Sequence, residues 1–358
     1  MTRVPDGSRV PDYDYHLPDG RIARYPVEKR DESRLLVVPK GRGAIRHLRF
    51  HQMVELVEPG DVVVVNESKV IPARLLGRKP TGARVEVLLV RPAPREGDPH
   101  LWEALVRPGG KLKPGRRVEV APGLGVEIVD AAPGGGRLVR LVSDGPVEDA
   151  LDRHGAMPLP PYMDREAEAL DKERYQTVYA RTPGSVAAPT AGLHFTPEVL
   201  AALEARGATR AEVTLHVGIG TFRPIEVDDP ADHELHHETY TVTPQAAETV
   251  NQARRQGGRV WAVGTTAVRT LEAVTDSDGT VHPGAGSTDL FIRPPYTFKA
   301  VDCLLTNFHL PRSTLLMLVA ALGGYRQVMN AYRVAVAEEY RFYSYGDAMA
   351  VVGPRVQR

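Results

Sequence analysis

The sequence has little cysteine, no long apolar run and no excess of charge of either sign. Its 358 residues include a single cysteine, Cys303, which excludes an intramolecular disulfide and a thiolate metal cluster and is typical of a reducing cytosol. The most apolar run, residues 315–322, has eight residues, whereas a membrane-spanning helix needs about 20. The polar residues 1–14 lack the apolar core of a signal peptide. We therefore expect a cytoplasmic protein that does not enter a membrane.

The net charge is zero because 45 basic residues balance 45 acidic ones. The two signs are distributed unevenly, however. Residues 66–120 contain twelve Lys or Arg against six Asp or Glu, and residues 121–172 contain five against ten. A basic segment of this kind is able to contact the phosphates of a nucleic acid, although a solvated positive face is the simpler alternative.

The length is enough for about two domains, and the chain shows two different patterns of predicted secondary structure. Residues 66–152 consist of short β-like pieces separated by Gly and Pro turns, which predicts a small antiparallel β-barrel. The rest alternates strands and helices, which predicts an α/β fold with a largely parallel sheet. We therefore predict a discontinuous α/β domain (1–65 and 153–358) with an inserted β-barrel domain (66–152). The predicted barrel strands cover residues 73–76, 84–90, 101–106, 117–120, 126–129 and 137–142.

Several elements of the α/β part are also predicted. Residues 45–57 have the pattern of an amphipathic helix, and the unbroken valines of residues 61–65 indicate a strand buried on both faces. Thr196 and Thr243, each followed by a proline, are typical helix caps. Residues 289–292 are predicted as a strand.

Two glycine segments follow predicted strands, where α/β sheets place their ligands. The first contains Gly218, Gly220, Thr221 and Phe222, and its glycines allow close approach of the backbone to a ligand. The second contains Gly264, Thr265 and Thr266 at a helix start, where free amides favour an anion, with Arg269 one turn later. Simple helix capping by Thr265 or Thr266 explains the second segment equally well.

Three histidines lie near predicted strand ends or in loops of small residues. His194 follows the loop 187–193, His216 ends one strand, and His309 follows another within residues 307–311. Neutral histidines are suited to proton transfer near pH 7. A packed core histidine remains the alternative, most evidently for His216 between apolar neighbours.

Residues 233–237 match the His-Glu-x-x-His zinc signature, which requires His233, Glu234 and His237 on one helix. Pro230 lies three residues before, and residues 239–242 are β-like, so barely one helical turn is available. A polar loop therefore explains the motif better than a zinc hydrolase does.

Nine segments of the sequence match one known family pattern: residues 61–66, 70–75, 157–162, 175–179, 184–196, 213–222, 262–272, 306–316 and 340–349. Taken together, they resemble the S-adenosylmethionine:tRNA ribosyltransferase-isomerase family of queuosine biosynthesis, from about Asp12 onward. Two departures from the family pattern are the ten or so extra N-terminal residues and Gly109-Gly110, where relatives often carry a lysine.

The resemblance implies that S-adenosylmethionine is consumed as a donor of its ribosyl group. The acceptor would be the aminomethyl group of 7-aminomethyl-7-deazaguanine at the wobble position of a tRNA. The products would be epoxyqueuosine in tRNA, adenine and methionine, and no metal or redox cofactor is expected. A monomer is expected.

The resemblance also assigns roles to the candidate residues as a hypothesis. His194, His216 and His309 would carry the proton transfers, with Asp289 as an orienting or basic carboxylate. S-adenosylmethionine would be bound by Gly218, Gly220, Thr221, Phe222, Gly264, Thr265, Thr266 and Arg269. The tRNA backbone would be contacted by Arg74, Lys79, Arg107, Lys111 and Lys113. A zinc hydrolase and a non-catalytic RNA-binding module built on the barrel are the two alternatives.

Overall fold

The structure is a computed structural model of the chain. It describes residues 3–41, 43–95, 97–218, 225, 227–233, 235 and 237–355, with only the backbone for Lys111. Within these residues the strands are β1 (Arg34–Pro39), β2 (Arg46–Arg49), β3 (Val62–Asn66), β4 (Ser68–Val70), β5 (Arg74–Arg78), β6 (Arg84–Pro92), β7 (Leu101–Arg107), β8 (Arg117–Ala121), β9 (Leu124–Ala131), β10 (Arg137–Ser143), β11 (Thr182–Ser185), β12 (Thr209–Leu215), β13 (Glu238–Val242), β14 (Val260–Val263), β15 (Gly284–Thr288), β16 (Cys303–Asn307) and β17 (Ala348–Val352).

The α-helices of the described residues lie mainly in the second half of the chain. They are α1 (Val147–His154), α2 (Asp171–Arg174), α3 (Pro197–Ala205), α4 (Pro244–Arg255), α5 (Gly264–Val274), α6 (Thr314–Gly323) and α7 (Tyr325–Ala337). The predicted caps are confirmed, since the Thr196 hydroxyl accepts a hydrogen bond from the amide of Val199 and the Thr243 hydroxyl accepts one from the amide of Ala246.

The predicted antiparallel barrel is confirmed. Its six strands close in the order β10-β7-β6-β5-β8-β9, and every neighbouring pair that the register describes is antiparallel. Alternate residues point inward and form a separate apolar core that includes Val85, Val87 and Leu89 of β6. The short strands β4 and β11, one on each side of the barrel segment, pair in parallel and hold its two connections together. The domain boundaries at residues 66 and 152 stay a prediction, because the barrel strands themselves run from Arg74 to Ser143.

The large sheet has nine strands in the order β15-β13-β12-β3-β14-β16-β17-β1-β2. As the run of valines predicts, β3 lies in its centre with all five residues buried. Val62 and Val64 pack into one apolar layer, whereas Val63 and Val65 pack into the layer on the opposite face. Helices therefore cover both faces of the sheet, and the ends of the strands remain free to carry loops.

The prediction of a largely parallel sheet is wrong outside the centre. The neighbours β12, β3, β14 and β16 are parallel, and β17 is parallel to β1, but the other four pairs are antiparallel. Two helices, α6 and α7, connect β16 to β17. A pair of helices returns the chain to the end of the sheet that it left, so β17 runs antiparallel to β16.

Two local predictions are also wrong. Residues 45–57 contain the edge strand β2 followed by a 3₁₀ helix, Phe50–Leu56, instead of one α-helix. The buried Phe50, Met53 and Leu56 are spaced by three residues, which matches the 3₁₀ repeat, and β2 gains its hydrogen bonds from the open edge of β1. The predicted strand at residues 289–292 is instead irregular, and the strand β15 ends just before it.

No helix of the described residues is long and apolar enough to cross a membrane.

A buried ion pair fixes the start of the two central strands. Asp61, fully buried before β3, accepts hydrogen bonds from the Arg259 guanidinium at 2.8 Å, the Arg259 amide at 2.8 Å and Trp261 Nε1 at 3.0 Å. Removal of one member of a buried pair leaves an uncompensated charge, which costs about 3–5 kcal/mol.

We predict that Asp61→Ala lowers the free energy of unfolding by about that amount (3–5 kcal/mol), measured by urea denaturation at pH 7. Glu248→Ala is the control, because Glu248 and Arg255 form an exposed pair and such pairs contribute little. A similar loss in both variants would contradict this account of the sheet.

Candidate active site

A cleft lies at one edge of the large sheet. Because β12, β3, β14 and β16 are parallel, their carboxyl ends meet at this edge, where α/β sheets place ligands. The cleft measures about 790 Å³ including its solvent-filled mouth. Its walls are formed by residues 188–191, Val217, residues 264–266 and 306–310, Ser313 and Leu315, together with Tyr162, Tyr343 and Ser344.

Three buried polar atoms of the cleft residues lack a hydrogen-bond partner within the described residues. They are Thr266 Oγ1, Asn307 Oδ1 and Tyr343 Oη, and none of these residues is more than 9% exposed. A buried polar group without a partner costs about 1–3 kcal/mol. These atoms therefore mark the places where the cleft offers hydrogen bonds to a ligand.

Helix α5 points its amino terminus into the cleft. Gly264, Thr265 and Thr266 line the wall, and the residue that caps the helix, Val263, supplies no side-chain hydrogen bond. The structure therefore does not show capping of α5 by Thr265 or Thr266. The free amides and the dipole at this helix start favour an anion such as a carboxylate.

His309 lies in the cleft wall, as its place after β16 predicts. Its Nε2 is 2.8 Å from the Thr306 hydroxyl, and its amide donates to the Tyr332 hydroxyl at 2.9 Å. Burial lowers the pKa of His309 to about 3, because a charged ring is poorly solvated there. The ring is therefore neutral at pH 7.

His194 lies behind the cleft wall and is only 4% exposed. Its Nδ1 is 2.7 Å from the Ser33 hydroxyl, its Nε2 is 3.1 Å from Asn307 Nδ2, and its ring stacks on Phe50. Burial, with the nearby charges of Arg30 and Arg341, lowers its pKa to about 3. His194 thus reaches the cleft through Asn307 and does not itself line it.

The other two predicted catalytic residues lie elsewhere. His216 is half-buried beside Gly184, and its Nδ1 has no partner within the described part of the chain; burial lowers its pKa. Asp289 has a side chain that is 63% exposed and lies 3.8 Å from His237 Nε2. Neither residue lines the cleft, and their catalytic roles stay predictions.

Arg269 is buried in a smaller neighbouring cleft that Gly218 also lines. Its guanidinium forms an ion pair with Glu238 and donates to the carbonyls of Leu290 and Thr288 at 3.1 and 3.2 Å. The amide of Gly218 donates to Glu238 at 3.2 Å. Arg269 therefore holds the segment after β12 through Glu238, and the same carboxylate already compensates its charge. Gly220, Thr221 and Phe222 lie outside the described residues.

The described residues of the zinc-like segment, 233, 235 and 237, are not in the helix that the zinc signature needs. Glu234 and His236 lie outside the described residues, whereas His233 and His237 are in irregular backbone between a 3₁₀ turn, Pro230–Asp232, and β13. The described residues contain no group of three or more metal-ligating side chains.

The predicted tRNA-binding residues differ in how their charge is used. Arg74 forms an ion pair with Glu86 and donates to the carbonyl of Leu159. Lys79 is half-buried, whereas Arg107 and Lys113 are exposed, and no ion pair of the described residues includes these three. The side chain of Lys111 lies outside the description. Arg107 and Lys113 are thus the exposed, uncompensated cations of this set.

Two residues of the site, Tyr162 in the cleft and Ser33 behind it, are not predicted by residue type and local sequence pattern. The ring of Tyr162 packs at a tilt against that of Tyr343, with centroids 4.2 Å apart, and its hydroxyl is 2.5 Å from that of Ser344. Ser33 holds His194 from a distant part of the chain. Only the partial match of residues 157–162 to a known family pattern points to Tyr162, and no pattern in the sequence points to Ser33.

The fold and the cleft define an α/β protein that has a barrel insertion and a ligand site at its strand ends. The family model described as queuosine biosynthesis protein matches residues 10–351. A protein of Symbiobacterium thermophilum named S-adenosylmethionine:tRNA ribosyltransferase-isomerase is 55% identical over 96% of this chain and 100% of its own. One of the same name from Thermus thermophilus is 54% identical over 95% and 98%.

A solved structure agrees with these matches. The crystal structure of S-adenosylmethionine tRNA ribosyltransferase from Thermotoga maritima is 40% identical, covers 95% of this chain and 99% of its own, and has a TM-score of 0.55. The chain therefore belongs to the S-adenosylmethionine:tRNA ribosyltransferase-isomerase family of queuosine biosynthesis proteins. It is an enzyme of the transferase class.

The neutral, buried state of His194 predicts a pH dependence of stability. Its pKa is about 3 in the folded protein and about 6.5 in the unfolded chain, so the unfolded state binds more protons between these values. The stabilisation is complete above pH 6.5 and is lost as the pH falls toward 3.

We predict that His194→Gln reduces the change in unfolding free energy between pH 6 and pH 5 by about 1 kcal/mol, measured by urea denaturation at both pH values. His100→Gln is the control, since that side chain is exposed and stays in water in both states. An unchanged slope in His194→Gln would show that the ring binds protons equally in the folded and unfolded states, which contradicts a buried neutral ring.

Proposed function

We propose that the cleft transfers and isomerises the ribosyl group of S-adenosylmethionine onto the aminomethyl group of 7-aminomethyl-7-deazaguanine at a tRNA wobble position. The products are epoxyqueuosine in tRNA, adenine and methionine. The observation that carries the proposal is the cleft with its three bare polar atoms at the ends of parallel strands, in a chain that matches the family over residues 10–351.

The lining of the cleft suits these substrates. The amino terminus of α5 would hold the methionine carboxylate, and Thr266 is the third residue of that helix. The rings of Tyr162 and Tyr343 line the cleft, and we infer that a nucleobase stacks on one of them. The wobble base belongs to a single-stranded loop and reaches such a cleft without opening a duplex.

The reaction requires a base for the proton next to the sulfonium, an acid for the departing adenine, and a neutral acceptor amine. His309 is the predicted histidine that lines the cleft, and we assign one of the proton transfers to it for that reason. We assign the other proton transfers to groups that approach when the substrates bind. Arg269 supports the site through Glu238 instead of binding the carboxylate.

The proposal involves no metal and no redox cofactor, because S-adenosylmethionine itself supplies the leaving groups. The protein acts as a monomer in the cytoplasm, where tRNA and S-adenosylmethionine are dissolved.

The reaction test uses the protein, S-adenosylmethionine and tRNA that carries the aminomethyl base. Adenine and methionine are expected in equal amounts, each dependent on that tRNA and unaffected by EDTA, as measured by liquid chromatography. Unmodified tRNA is the control. Absence of joint release would overturn the transferase proposal and leave a non-catalytic RNA-binding module, whereas activity lost together with stoichiometric zinc would favour the zinc hydrolase.

The barrel predicts a salt-dependent contact with tRNA. Each phosphate contact that is lost should reduce the slope of log affinity against log salt by about 0.7–0.9. We expect this reduction for Arg107→Ala and for Lys113→Ala, measured by filter binding between 50 and 200 mM salt. Arg255→Ala on α4 is the control outside the barrel. Equal slopes in all three variants and the wild type would place the tRNA elsewhere.

A further inference from the structure

Both amide hydrogens of Asn307 are already used. Asn307 Nδ2 donates to the carbonyl of Tyr343 at 3.0 Å and to His194 Nε2 at 3.1 Å. Its Oδ1 has no partner within the described residues, and Asn307 lines the cleft. The hydrogen-bonding capacity that this cleft residue has left to offer a ligand is therefore an acceptor and not a donor.

The direction of this amide is fixed by its partners. A carbonyl only accepts hydrogen bonds, so a reversed amide would place Oδ1 against the oxygen of Tyr343. Nε2 of His194 must then accept, which leaves the proton on Nδ1. Nδ1 donates to the Ser33 hydroxyl at 2.7 Å, and that hydroxyl donates to the carbonyl of Arg30 at 3.3 Å. Every proton along this chain of bonds has an acceptor.

The two residues that hold the Asn307 amide, His194 and Tyr343, are themselves held in place by their surroundings. His194 lies in the 3₁₀ helix Thr190–His194 with its ring stacked on Phe50 at 5.0 Å. Tyr343 has a φ of 72°, which is unfavourable for a residue with a Cβ and is maintained only where the surroundings impose it. In this conformation its amide donates to Phe308 and its carbonyl meets Asn307. Backbone strain of this kind is concentrated at functional sites.

We propose that Asn307 is a specificity residue whose Oδ1 accepts an N–H of a substrate amine, and that His194 is the positioning residue that fixes the amide in this direction. The inference rests on the proposed function and refines it, because it removes His194 from the proton transfers. S-adenosylmethionine and the modified tRNA base each carry a primary amine. The chemistry at Asn307 is the same for both, and kinetics distinguishes the two sources.

The first test is Asn307→Leu, which keeps the approximate volume and removes the acceptor. We expect kcat/KM to fall at least tenfold for the substrate that carries the recognised amine. A rise in KM for S-adenosylmethionine alone assigns the amine to that substrate, and a rise in KM for tRNA alone assigns it to the base. If kcat/KM stays within twofold of the wild type for both substrates, the recognition role is overturned.

The second test compares two variants of His194. His194→Gln retains an amide oxygen near the position of Nε2, whereas His194→Leu retains no acceptor. We expect His194→Leu to show the same KM change as Asn307→Leu. The double variant should show little further change, because the two single variants lose the same interaction. We expect His194→Gln to recover most of this loss with both limbs of the kcat pH profile in place. A glutamine variant as impaired as the leucine variant, with one limb of the profile missing, would show instead that His194 transfers a proton.

A third measurement uses the unaltered protein and no turnover. In ¹⁵N NMR spectra, one histidine ring should couple through a hydrogen bond to an asparagine side-chain amide and should carry its proton on Nδ1 from pH 5 to pH 9. A ring that shows this coupling but titrates in this range, or the absence of any such coupling, overturns the positioning role. This result stands even if a variant does not fold. It also stands if the protein releases no adenine, in which case the proposed function alone fails.

Discussion

The parallel pairing of β12, β3, β14 and β16 determines where everything else in this protein lies. Parallel neighbours end at the same edge, so Val217, Gly264 and Asn307 arrive together although they are far apart in the chain. The valines of β3 are buried on both faces, and the buried pair of Asp61 and Arg259 fixes the start of the strands. The loops that line the cleft follow the carboxyl ends of these strands, and β4 and β11 pair at the two connections to the barrel.

At that edge the protein retains polar atoms that an apolar core would avoid. Thr266 Oγ1, Asn307 Oδ1 and Tyr343 Oη stay unpartnered within the described residues. A valine, a leucine and a phenylalanine would fill similar space without that penalty. The destabilisation is tolerable because the two apolar layers of the sheet lie directly behind the cleft, and it is relieved when a ligand supplies the missing hydrogen bonds.

The sequence predicts well what depends on neighbours in the chain. The threonine caps of α3 and α4, the double burial of β3 and the six barrel strands all follow from local residue types and turns. It predicts poorly what depends on distant partners. Residues 46–49 are a strand because β1 has an open edge, and β17 runs antiparallel to β16 because two helices precede it. Not every basic residue of the segment 66–120 is available to a phosphate, since Arg74 and Arg91 are paired within the barrel.

The histidines show the same limit at the level of the site. His194 and His309 have the same residue type, similar places in the sequence pattern and a pKa near 3 for the same reason, burial. What separates them is the partner of each Nε2. In His309 it is a threonine hydroxyl in the cleft wall, whereas in His194 it is the amide of Asn307, which lies between the ring and the cleft. Ser33 and the strained Tyr343, neither adjacent to His194 in sequence, decide this difference. The chemical role of a buried histidine is thus set by hydrogen bonds that only the assembled sheet edge creates, and residue type and local spacing do not contain it.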